Sequence, residues 1–540
     1  MTAVRTNHEH KSTSIRTFFA HRNVFVTGGT GFLGAVLIES ILSTSPDVGN
    51  IYVLVRDKYG SNANTRIQRL IAKPIFKAHS EDALKKIVPV IGELSEKNFG
   101  IKDDEYERLK QSVNILYHCA ATIKFNTHLK SAIIINLIGT YRTIEFAKSL
   151  KNLVSYVYLS TAFCNSNQEN FIEDKVYASE QDPYEMMKLV QDDELWARDS
   201  EEELNAFIGN HPNTYTFTKQ LAENLILKEL AGLPAGIVRP SVVYGTYKDP
   251  LPGWVGNANS GHLGLLVGFV KGLFRTICGN PDALIDIIPC DYVINAAITM
   301  GWYVGTRKLD SIEVIHSTSG ERNPLNISKF CEVLNESAPK NPCDSIVWMP
   351  QAKIRNGLRY EMFVYLFHLI PAMILLIPET ILHRPSRKTY VWRDFVTSQR
   401  LLTTPVFCFS AFTYMQLFHK GSKVFNYFIN KNFQYSFKNA LRIMGEMHPD
   451  DVDRYQFDAK NCDFTKLMEG CLLGIRRYYF HESYNTTMWH RAMYQLFKLL
   501  HYIGWIFILA IIYFLVLPLA VNLKLTFAIA SSIWLFLIWL

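Results

Sequence analysis

The sequence is poor in the features that define disulfide-rich, metal-binding and secreted proteins. Its nine cysteines in 540 residues form no Cys-x-x-Cys pair and no metal-ligand spacing. We therefore expect reduced core thiols, no disulfide framework and no metal site. Residues 1–16 are polar and contain no apolar stretch that could serve as a signal peptide. No internal repeat is visible.

The chain also has little excess of charge of either sign. The net charge of +7 is spread over the whole chain, and no basic stripe carries interleaved aromatic residues. Nucleic acid is therefore not an expected partner. Apolar residues, by contrast, make up 48% of the chain. Residues 503–521 contain no charge, and neither do residues 525–540.

These two stretches predict a C-terminal membrane anchor, at 483–540, in a protein that binds a lipid bilayer. A helix needs about 20 apolar residues to cross the hydrocarbon core. The alternative is a buried core helix, although such a helix seldom stays apolar on every face. Arg491 and Lys498 precede the apolar stretch, which predicts that the rest of the protein faces the cytosol. Whether 525–540 returns through the bilayer stays open.

A glycine-rich loop lies near the start of the chain, at residues 27–34 (TGGTGFLG). An apolar run precedes it and helical spacing follows it, so we predict a strand, a tight turn and a helix. In a dinucleotide-binding loop, Gly28 would permit the turn, Gly31 would let the backbone approach a pyrophosphate, and Gly34 would allow close packing. The remaining predicted loop contacts to the cofactor are Thr30, Phe32 and Leu33. The alternative is a glycine-rich turn without a ligand.

The strand predicted at 51–55 ends in Arg56, Asp57 and Lys58. A fold that prefers NAD places an acidic residue here to bind the ribose 2′-hydroxyl. A guanidinium instead suits a 2′-phosphate. We therefore predict NADPH as the cofactor, with Arg56 as the selecting residue and Lys58 beside it. The alternative is that Arg56 is solvated and Asp57 binds the ribose.

Further strands are predicted at 87–91, 113–117, 154–159 and 235–238, separated by helical patterns such as 132–150. Alternating strands and helices predict an α/β fold, a doubly wound parallel sheet of the Rossmann type. Ligands bind at the carboxyl edge of such a sheet. That edge should carry Ser160 and Thr161, and the backbone of Ala120 should line the nicotinamide side.

Six Tyr-x-x-x-Lys matches occur, so the spacing alone selects none of them. One of them, Tyr215 with Lys219, begins a predicted helix that runs directly into the strand at 235–238. Tyr184 is the main rival, but it lies in an acidic stretch whose helix no strand follows. We favour Tyr215 and Lys219 as the catalytic pair. The other four matches begin at Tyr106, Tyr244, Tyr427 and Tyr494.

The chain resembles the extended short-chain dehydrogenase/reductase superfamily and, within it, the alcohol-forming fatty acyl-CoA reductases. The resemblance covers residues from about 18 to 478. The segments that carry it are 27–34, 158–165 (YLSTAFCN), 212–219 (PNTYTFTK), 237–241 (IVRPS), 252–257 (PGWVGN), 271–275 (KGLFR) and 287–295 (IIPCDYVIN). One departure is Glu93, where the family usually has Asp beside the adenine.

The resemblance implies two NADPH-dependent reductions of a long-chain or very-long-chain fatty acyl-CoA to a primary alcohol, for wax or ether lipid synthesis. Tyr215 would act as the proton donor, with Lys219 lowering its pKa and holding the nicotinamide ribose. Thr161 would bind the carbonyl oxygen, with Ser160 as the fallback.

The resemblance also implies an order of domains along the chain. A polar tail at 1–17 and the NADP-binding catalytic domain at 18–354 would precede a helical, membrane-facing domain at 355–482 and the anchor. An endoplasmic reticulum or peroxisome membrane is expected, and the oligomeric state is open. Alternatives are a membrane-bound sterol-type dehydrogenase and a non-catalytic scaffold with this fold.

Overall fold

The computed structural model describes ten stretches of the chain and a few isolated positions, namely 258, 346 and some between 528 and 535. Lys58 and most of 517–540 lie outside the described residues. The described stretches are 13–57, 62–125, 127–168, 171–190, 207–256, 261–273, 275–344, 348–365, 427–483 and 485–516.

A seven-stranded parallel sheet forms the centre of the first of the chain's two compact units. Side by side, its strands are Glu313–Ser317, Ala235–Pro240, Ser155–Leu159, Val113–His118, Asn23–Thr27, Ile51–Val55 and Ile87–Ile91. Helices connect its strands, so the predicted doubly wound sheet is confirmed. The predicted strands are confirmed to within two residues at each end. Numbered in chain order, the sheet strands are β1 Asn23–Thr27, β2 Ile51–Val55, β3 Ile87–Ile91, β4 Val113–His118, β5 Ser155–Leu159, β7 Ala235–Pro240 and β11 Glu313–Ser317.

Three two-stranded parallel pairs accompany this sheet. They join β6 (Phe171–Ile172) to β13 (Gln434–Tyr435), β8 (Val242–Tyr244) to β10 (Ile287–Pro289), and β9 (Thr276–Cys278) to β12 (Lys353–Arg355).

Both faces of the large sheet are covered, which explains why β2 and β5 are buried at every position. On one face, Phe25 and Tyr156 pack in a cluster with Phe146 and Leu221 from two helices. On the other face Gly236 lies against Met300, where a Cβ atom would come within 2.4 Å of the Met300 sulfur.

Helices in the first unit run over Ile15–Phe19, Phe32–Thr44, Ala63–Ile71, Glu81–Lys85, Asp103–Ser112, Leu129–Ala132, Gly139–Ser149, Pro183–Leu189, Thr214–Glu229, Cys290–Thr306, Lys438–Gly445 and Pro449–Val452. Those in the second run over Gly261–Val270, Ile327–Ser337, Gly357–Val364, Phe464–Gly474 and Met488–Val516. A π-helical segment, Ile133–Ile138, interrupts the helix predicted at 132–150.

The two compact units are discontinuous along the chain. The first comprises Met1–Gly256, Asp286–Pro324 and Phe433–Asp463, and the second comprises Asn257–Ile285, Leu325–Asn432 and Phe464–Leu540. The division at residues 354 and 482 stays a prediction, because it follows the order of the chain whereas these units follow contacts in space.

The helix Met488–Val516 in the second unit exposes large apolar side chains, among them Trp489, Ile506, Phe507 and Phe514. Within the described residues, its segment Met488–Ile511 is the one stretch long and apolar enough to cross a membrane. Only 6% of the most apolar 18 residues of this segment is buried. The apolar character predicted from residue 503 onward therefore belongs to a helix that begins earlier.

Candidate active site

The glycine loop lies where the strand order reverses, because β1 pairs with both β2 and β4. Gly28 has a φ of +72°, and a Cβ atom there would lie 2.7 Å from the Ala120 amide nitrogen. A Cβ atom on Gly34 would lie 2.4 Å from the Gly28 carbonyl oxygen. The loop backbone is therefore pressed against the end of β4 and the start of the next helix, and side chains at these two positions would clash.

The helix Phe32–Thr44 starts directly after this loop, with Gly31 as its N-cap. Gly31 has no side chain that could cap the first amide groups, so their N–H groups are available to an anion. The Phe32 ring packs 5.3 Å from that of Trp254, centroid to centroid. Segment 252–257, singled out in the sequence for its resemblance, thus contributes a ring that fixes the start of this helix.

Three cations surround the edge of the loop. Arg56 donates to Glu93 at 3.0 Å in an ion pair whose side chains are 48% and 38% exposed. Arg66 donates to the Thr30 hydroxyl at 2.9 Å and to the Arg56 carbonyl at 2.6 Å. Lys73 donates to the Thr30 carbonyl at 3.2 Å, and burial lowers the pKa of its ammonium group to about 8. We name these three residues, Arg56, Arg66 and Lys73, the nucleotide-edge cations.

The sequence reasoning found Arg56 and missed Arg66 and Lys73. Their contacts to Thr30 depend on how the helix after β2 packs against the loop, which residue spacing does not reveal. The carboxylate of Asp57, the alternative ribose ligand, accepts the Ala63 amide at 2.7 Å and so anchors the start of that helix.

Tyr215 lies in the first turn of the helix Thr214–Glu229, whose N-cap Asn213 accepts from the Thr216 amide at 2.9 Å. The Tyr215 side chain is partly exposed, and the Phe125 ring stacks on it at 5.8 Å. Burial raises the pKa of the Tyr215 phenol, while a hydrogen bond with Thr161 lowers it. The structure therefore brings Tyr215 and Thr161 together, as the sequence predicted.

Lys219 is 2% exposed, and its ammonium group donates to the Leu159 carbonyl at 2.7 Å. The same group lies 4.5 Å from the centroid of the Tyr158 ring. Burial lowers the pKa of Lys219 to about 8, against the nearby Glu223, which raises it. The end of β5 thus holds the ammonium group at the carboxyl edge of the sheet.

The prediction that Lys219 lowers the pKa of Tyr215 stays a prediction. The pKa of the phenol is raised, because burial outweighs the hydrogen bond with Thr161. The Lys219 ammonium group points toward the Leu159 carbonyl and the Tyr158 ring.

Ser160 and Thr161 point in different directions. The Thr161 hydroxyl donates to the Pro240 carbonyl at 3.5 Å and accepts the Phe163 amide at 3.3 Å. It lies close enough to Tyr215 to lower the pKa of the phenol. Ser160 lies on the side of Glu223 and is among the groups that lower the pKa of that carboxylate. The first choice in the sequence, Thr161, is thus the neighbour of Tyr215, and the fallback Ser160 is not.

A buried ion pair supports the helix one turn beyond Lys219. Both side chains, Arg239 and Glu223, are 0% exposed, and two guanidinium nitrogens donate to the two carboxylate oxygens at 2.9 and 2.5 Å. The third guanidinium nitrogen of Arg239 donates to His316 Nε2 at 3.3 Å. Because that ring nitrogen accepts a hydrogen bond, the His316 proton resides on Nδ1, which donates to the Asp174 carboxylate at 2.8 Å. This network fixes the end of β7 against the helix Thr214–Glu229.

Asn136 is a site residue that the sequence reasoning missed. It is 1% exposed, its carbonyl oxygen accepts the Thr122 amide at 2.8 Å, and its amide donates to Thr218 at 3.0 Å. It therefore ties the segment after β4 to the residue next to Lys219. The available signal was a single polar residue in the apolar run of 133–138.

Tyr184, the rival of Tyr215, lies elsewhere. Its hydroxyl donates to Glu229, the last residue of the helix that Tyr215 begins. Its partner in the motif, Lys188, pairs with Glu185 at 2.7 Å. A helix of that length is about 24 Å long at about 1.5 Å per residue, so Tyr184 is far from the carboxyl edge of the sheet.

One group in the second unit has the residue types of a metal site: Asp344, Glu482 and His490. The Thr487 amide donates to His490 Nδ1 at 3.1 Å, so the proton of a neutral ring resides on Nε2. That atom faces Asp344 at 3.1 Å. The group therefore holds a histidine–carboxylate contact, with no lone pair on Nε2 for a cation.

Comparison with known proteins places both halves of the chain in one family. Two family profiles, each described as male sterility protein, match residues 26–297 and 367–482, the first as an NAD-binding domain. Among solved structures, the terminal R domain of the myxalamid biosynthetic pathway is similar in fold, with a TM-score of 0.55 and 18% identity over 85% of this chain and 92% of that one.

Curated relatives align over most of their length. A Drosophila melanogaster protein carries the unconfirmed name of a fatty acyl-CoA reductase. It is 53% identical to this chain, over 99% of this chain's length and 95% of its own length. Fatty acyl-CoA reductase 2 of Mus musculus is 32% identical over 87% of both chains. Fatty acyl-CoA reductase 1 of Homo sapiens is 30% identical over the same shares.

Proposed function

Because this chain belongs to the fatty acyl-CoA reductase family, we propose that it reduces long-chain or very-long-chain fatty acyl-CoA with NADPH to a primary alcohol. The observation that supports the proposal is the proximity of Tyr215 to Thr161, with Lys219 held by the Leu159 carbonyl, at the sheet edge that also holds the glycine loop. A proton donor, a carbonyl ligand and a cation beside a dinucleotide loop are the groups that carbonyl reduction requires.

The residues present fit a nicotinamide dinucleotide. Backbone atoms occupy the space that a side chain at Gly28 or Gly34 would need. Glycine at these positions lets the loop backbone approach a pyrophosphate closely. The nucleotide-edge cations, Arg56 above all, would hold a 2′-phosphate, and this supports NADPH over NADH. Glu93 would remain beside the adenine, and Ala120 would line the nicotinamide side.

When bound, NADPH supplies the hydride. Thr161 would donate to the acyl carbonyl oxygen and so stabilise the charge that develops there. Tyr215 would give its proton to that oxygen, and the raised pKa of the phenol keeps the proton in place until then. Lys219, held by the Leu159 carbonyl, would hydrogen-bond the nicotinamide ribose.

Two reductions are needed to reach the alcohol. In the first, the protonated adduct expels CoA as its thiol and leaves a fatty aldehyde. In the second, the aldehyde carbonyl takes the same position against Thr161 and Tyr215. The balance is two NADPH and two protons consumed for each acyl-CoA, with one alcohol, one CoA and two NADP⁺ formed. The alcohol would supply wax or ether lipid synthesis.

We assign the helix Met488–Val516 as the membrane anchor of a cytosol-facing enzyme. Its large exposed apolar side chains support this assignment. An anchored enzyme would receive its substrate close to the bilayer into which the product alcohol partitions. The membrane of the endoplasmic reticulum or the peroxisome is proposed.

The test supplies the purified full-length protein in detergent with NADPH or NADH and acyl-CoAs of graded chain length, and in parallel with NADP⁺ or NAD⁺ and hydroxysteroids. Products are identified as aldehyde or alcohol, and free CoA is quantified. Alcohol and CoA in equal amounts, with two NADPH consumed per alcohol, would support the proposal. Oxidation of hydroxysteroids with no release of CoA would instead support the sterol-type alternative, and no turnover of either substrate would favour a scaffold.

A further inference from the structure

Asp291, in segment 287–295, is a buried carboxylate that the proposed chemistry does not use. It is 4% exposed and lies in the first turn of the helix that follows β10. Its two oxygens accept the amides of Tyr247 and Lys248, each at 2.8 Å, and the amide of Asp249 at 3.3 Å. Because hydrogen bonds to a charged acceptor are strong, this carboxylate fixes the backbone of three consecutive residues.

The three amides belong to a loop that folds back on itself, residues 246–256, which we name the tryptophan loop. Strands β8 and β10 pair in parallel, so this loop and the helix that carries Asp291 begin side by side. The Thr246 amide donates to the Trp254 carbonyl at 3.1 Å, and the Gly253 amide donates to the Thr246 carbonyl at 2.8 Å. The Thr246 hydroxyl accepts the Trp254 amide at 3.0 Å. The position of Trp254 therefore follows from that of Thr246, which adjoins the residues that Asp291 holds.

Trp254 joins the tryptophan loop to the glycine loop. It is 2% exposed, and its ring centroid lies 5.3 Å from that of Phe32, the first residue of the helix after the glycine loop. Gly256 has a φ of +60°, and a Cβ atom there would lie 2.7 Å from a carbon of the Phe32 ring. The Lys73 ammonium group lies 5.9 Å from the Trp254 ring and donates to the Thr30 carbonyl at 3.2 Å. A displacement of the tryptophan loop would therefore displace the start of this helix.

We propose that Asp291 is a positioning residue for the pyrophosphate of the dinucleotide, acting through the tryptophan loop and Phe32. The inference rests on the proposed function, in which the amides at the start of the helix after the glycine loop receive the pyrophosphate. Those amides carry partial positive charge and stabilise an anion only over a short range. Without the carboxylate, the tryptophan loop would lose its contact at 247–249, and the packing of Trp254 on Phe32 would loosen.

A second buried aspartate supplies a matched control. The carboxylate of Asp286 accepts the amides of Ser319 and Gly320, each at 2.8 Å. These two residues follow β11, which is the edge strand of the large sheet, and β1 is the fourth strand from it. Asp286 therefore fixes a loop by the same chemistry, but away from the strand that leads into the glycine loop.

The experiment uses the full-length protein in detergent, as the parent and as Asp291→Asn, Trp254→Leu, Trp254→Phe and Asp286→Asn. Titration calorimetry without acyl-CoA measures the Kd for NADPH and for NADH, since both carry the pyrophosphate. The same titration with 2′,5′-ADP measures binding of a ligand that has the 2′-phosphate and no pyrophosphate. The Tm of each variant measures its stability, and steady-state kinetics with acyl-CoA gives kcat and the KM for NADPH.

Asp291→Asn and Trp254→Leu should raise the Kd for both dinucleotides about threefold to thirtyfold, the range expected when an anion loses a favourable place at a helix N-terminus. The Kd for 2′,5′-ADP should rise less. The KM for NADPH should rise in parallel, whereas kcat at saturating NADPH should change little. Trp254→Phe keeps a ring against Phe32 and should retain most of the affinity. Asp286→Asn should lower the Tm and leave all three Kd values unchanged.

Unchanged dinucleotide Kd values in folded Asp291→Asn and Trp254→Leu would overturn the inference. An equal rise in Asp286→Asn would also overturn it, because the effect would then be one of general stability. Should Asp291→Asn fail to fold, Thr246→Val decides in its place, because it removes the hydroxyl that accepts the Trp254 amide. A raised dinucleotide Kd in that variant would support the inference, and an unchanged one would overturn it.

The inference and the proposed function fail separately. Dinucleotide binding that weakens in Asp291→Asn, in a protein that reduces no acyl-CoA, would support the positioning role and refute the reductase. Reduction of acyl-CoA with one and the same KM for NADPH in the parent, Asp291→Asn and Trp254→Leu would do the reverse. A parent protein that binds neither dinucleotide would overturn both.

Discussion

Two ion pairs of the first unit differ in burial. Arg239 and Glu223 pair with 0% side-chain exposure behind the helix that carries Tyr215, whereas Arg56 and Glu93 pair at 48% and 38% exposure beside the glycine loop. Removing one partner of a buried pair leaves the other charge without a partner and without water, which costs much free energy. In an exposed pair, water replaces the lost partner, so the change in free energy is small. The buried pair therefore fixes a geometry, and the exposed pair is free to accept a new anion.

Under the proposed function, this difference implies separate tasks for the two regions. The helix Thr214–Glu229 would position the groups of the proton transfer. The nucleotide-edge cations would present charge to the phosphate of the cofactor. Substitutions in the first region should change kcat or stability, and those in the second should change KM for the cofactor.

The largest expected effect is that of Tyr215→Phe. Loss of the proton donor should reduce kcat with acyl-CoA by about 10²- to 10⁴-fold, measured as NADPH consumption and alcohol formation. The matched control is Tyr184→Phe, which removes the hydroxyl that donates to Glu229 at the far end of the same helix. It should change kcat by less than about threefold. If instead Tyr184→Phe is the inactive variant, the assignment of the tyrosine is wrong.

Glu223→Gln should reduce the free energy of unfolding by about 3–5 kcal/mol, because the Arg239 charge stays buried without its carboxylate. Urea-induced unfolding of the full-length protein measures this. The exposed counterpart, Glu93→Gln, should cost about 0–1 kcal/mol. Equal losses in the two variants would remove the distinction between the pairs.

Thr161→Ala should lower kcat by about 10²- to 10³-fold, the usual loss when one oxyanion ligand is removed. Ser160→Ala should lower it far less, since Ser160 lies toward Glu223 and not toward Tyr215. Steady-state kinetics with saturating NADPH distinguishes the two variants. The reverse order of effects would make Ser160 the carbonyl ligand.

Arg56→Glu should raise the KM for NADPH about tenfold or more, because a hydrogen bond to a charged group contributes about 1.5–3 kcal/mol. The KM for NADH should change much less. Arg16→Glu, an exposed charge reversal in the same unit, serves as the control. Equal changes for the two cofactors would show that Arg56 does not read the 2′-phosphate.

The smallest expected effect is a dependence on pH. The pKa of Lys219 is lowered to about 8, so its ammonium form prevails below that pH and is lost above it. If the cation is required, kcat/KM for acyl-CoA should fall by about tenfold per pH unit on the alkaline side. Lys219→Arg stays charged there, so in an active variant the decline should move to higher pH. An unchanged decline would assign it to another group.

Local patterns were sufficient to predict the sheet and the glycine loop. A strand, a tight turn and a helix are set by neighbours in sequence, so the glycine loop and the six strands from β1 to β7 of the central sheet were predicted, whereas β11 (Glu313–Ser317) was not. The same reasoning ranked Tyr215 above Tyr184 from the order of elements. It could not give the direction of a side chain, such as that of Lys219 toward the Leu159 carbonyl.

For a related reason, the sequence did not predict the contacts of Arg66, Lys73 and Asn136. Each bonds a residue that lies 14 to 82 positions away along the chain. Such pairs depend on how helices pack onto strands, and many packings satisfy the same apolar pattern.

The sequence by itself determined the parallel sheet, its glycine loop and the apolar C-terminal segment, because backbone conformation and the period of apolar residues are local properties. The tertiary structure decided which tyrosine meets Thr161, which cations surround Thr30 and which ring packs against Phe32. Those outcomes depend on directions and distances between remote segments, and burial then set the pKa values of Tyr215 and Lys219.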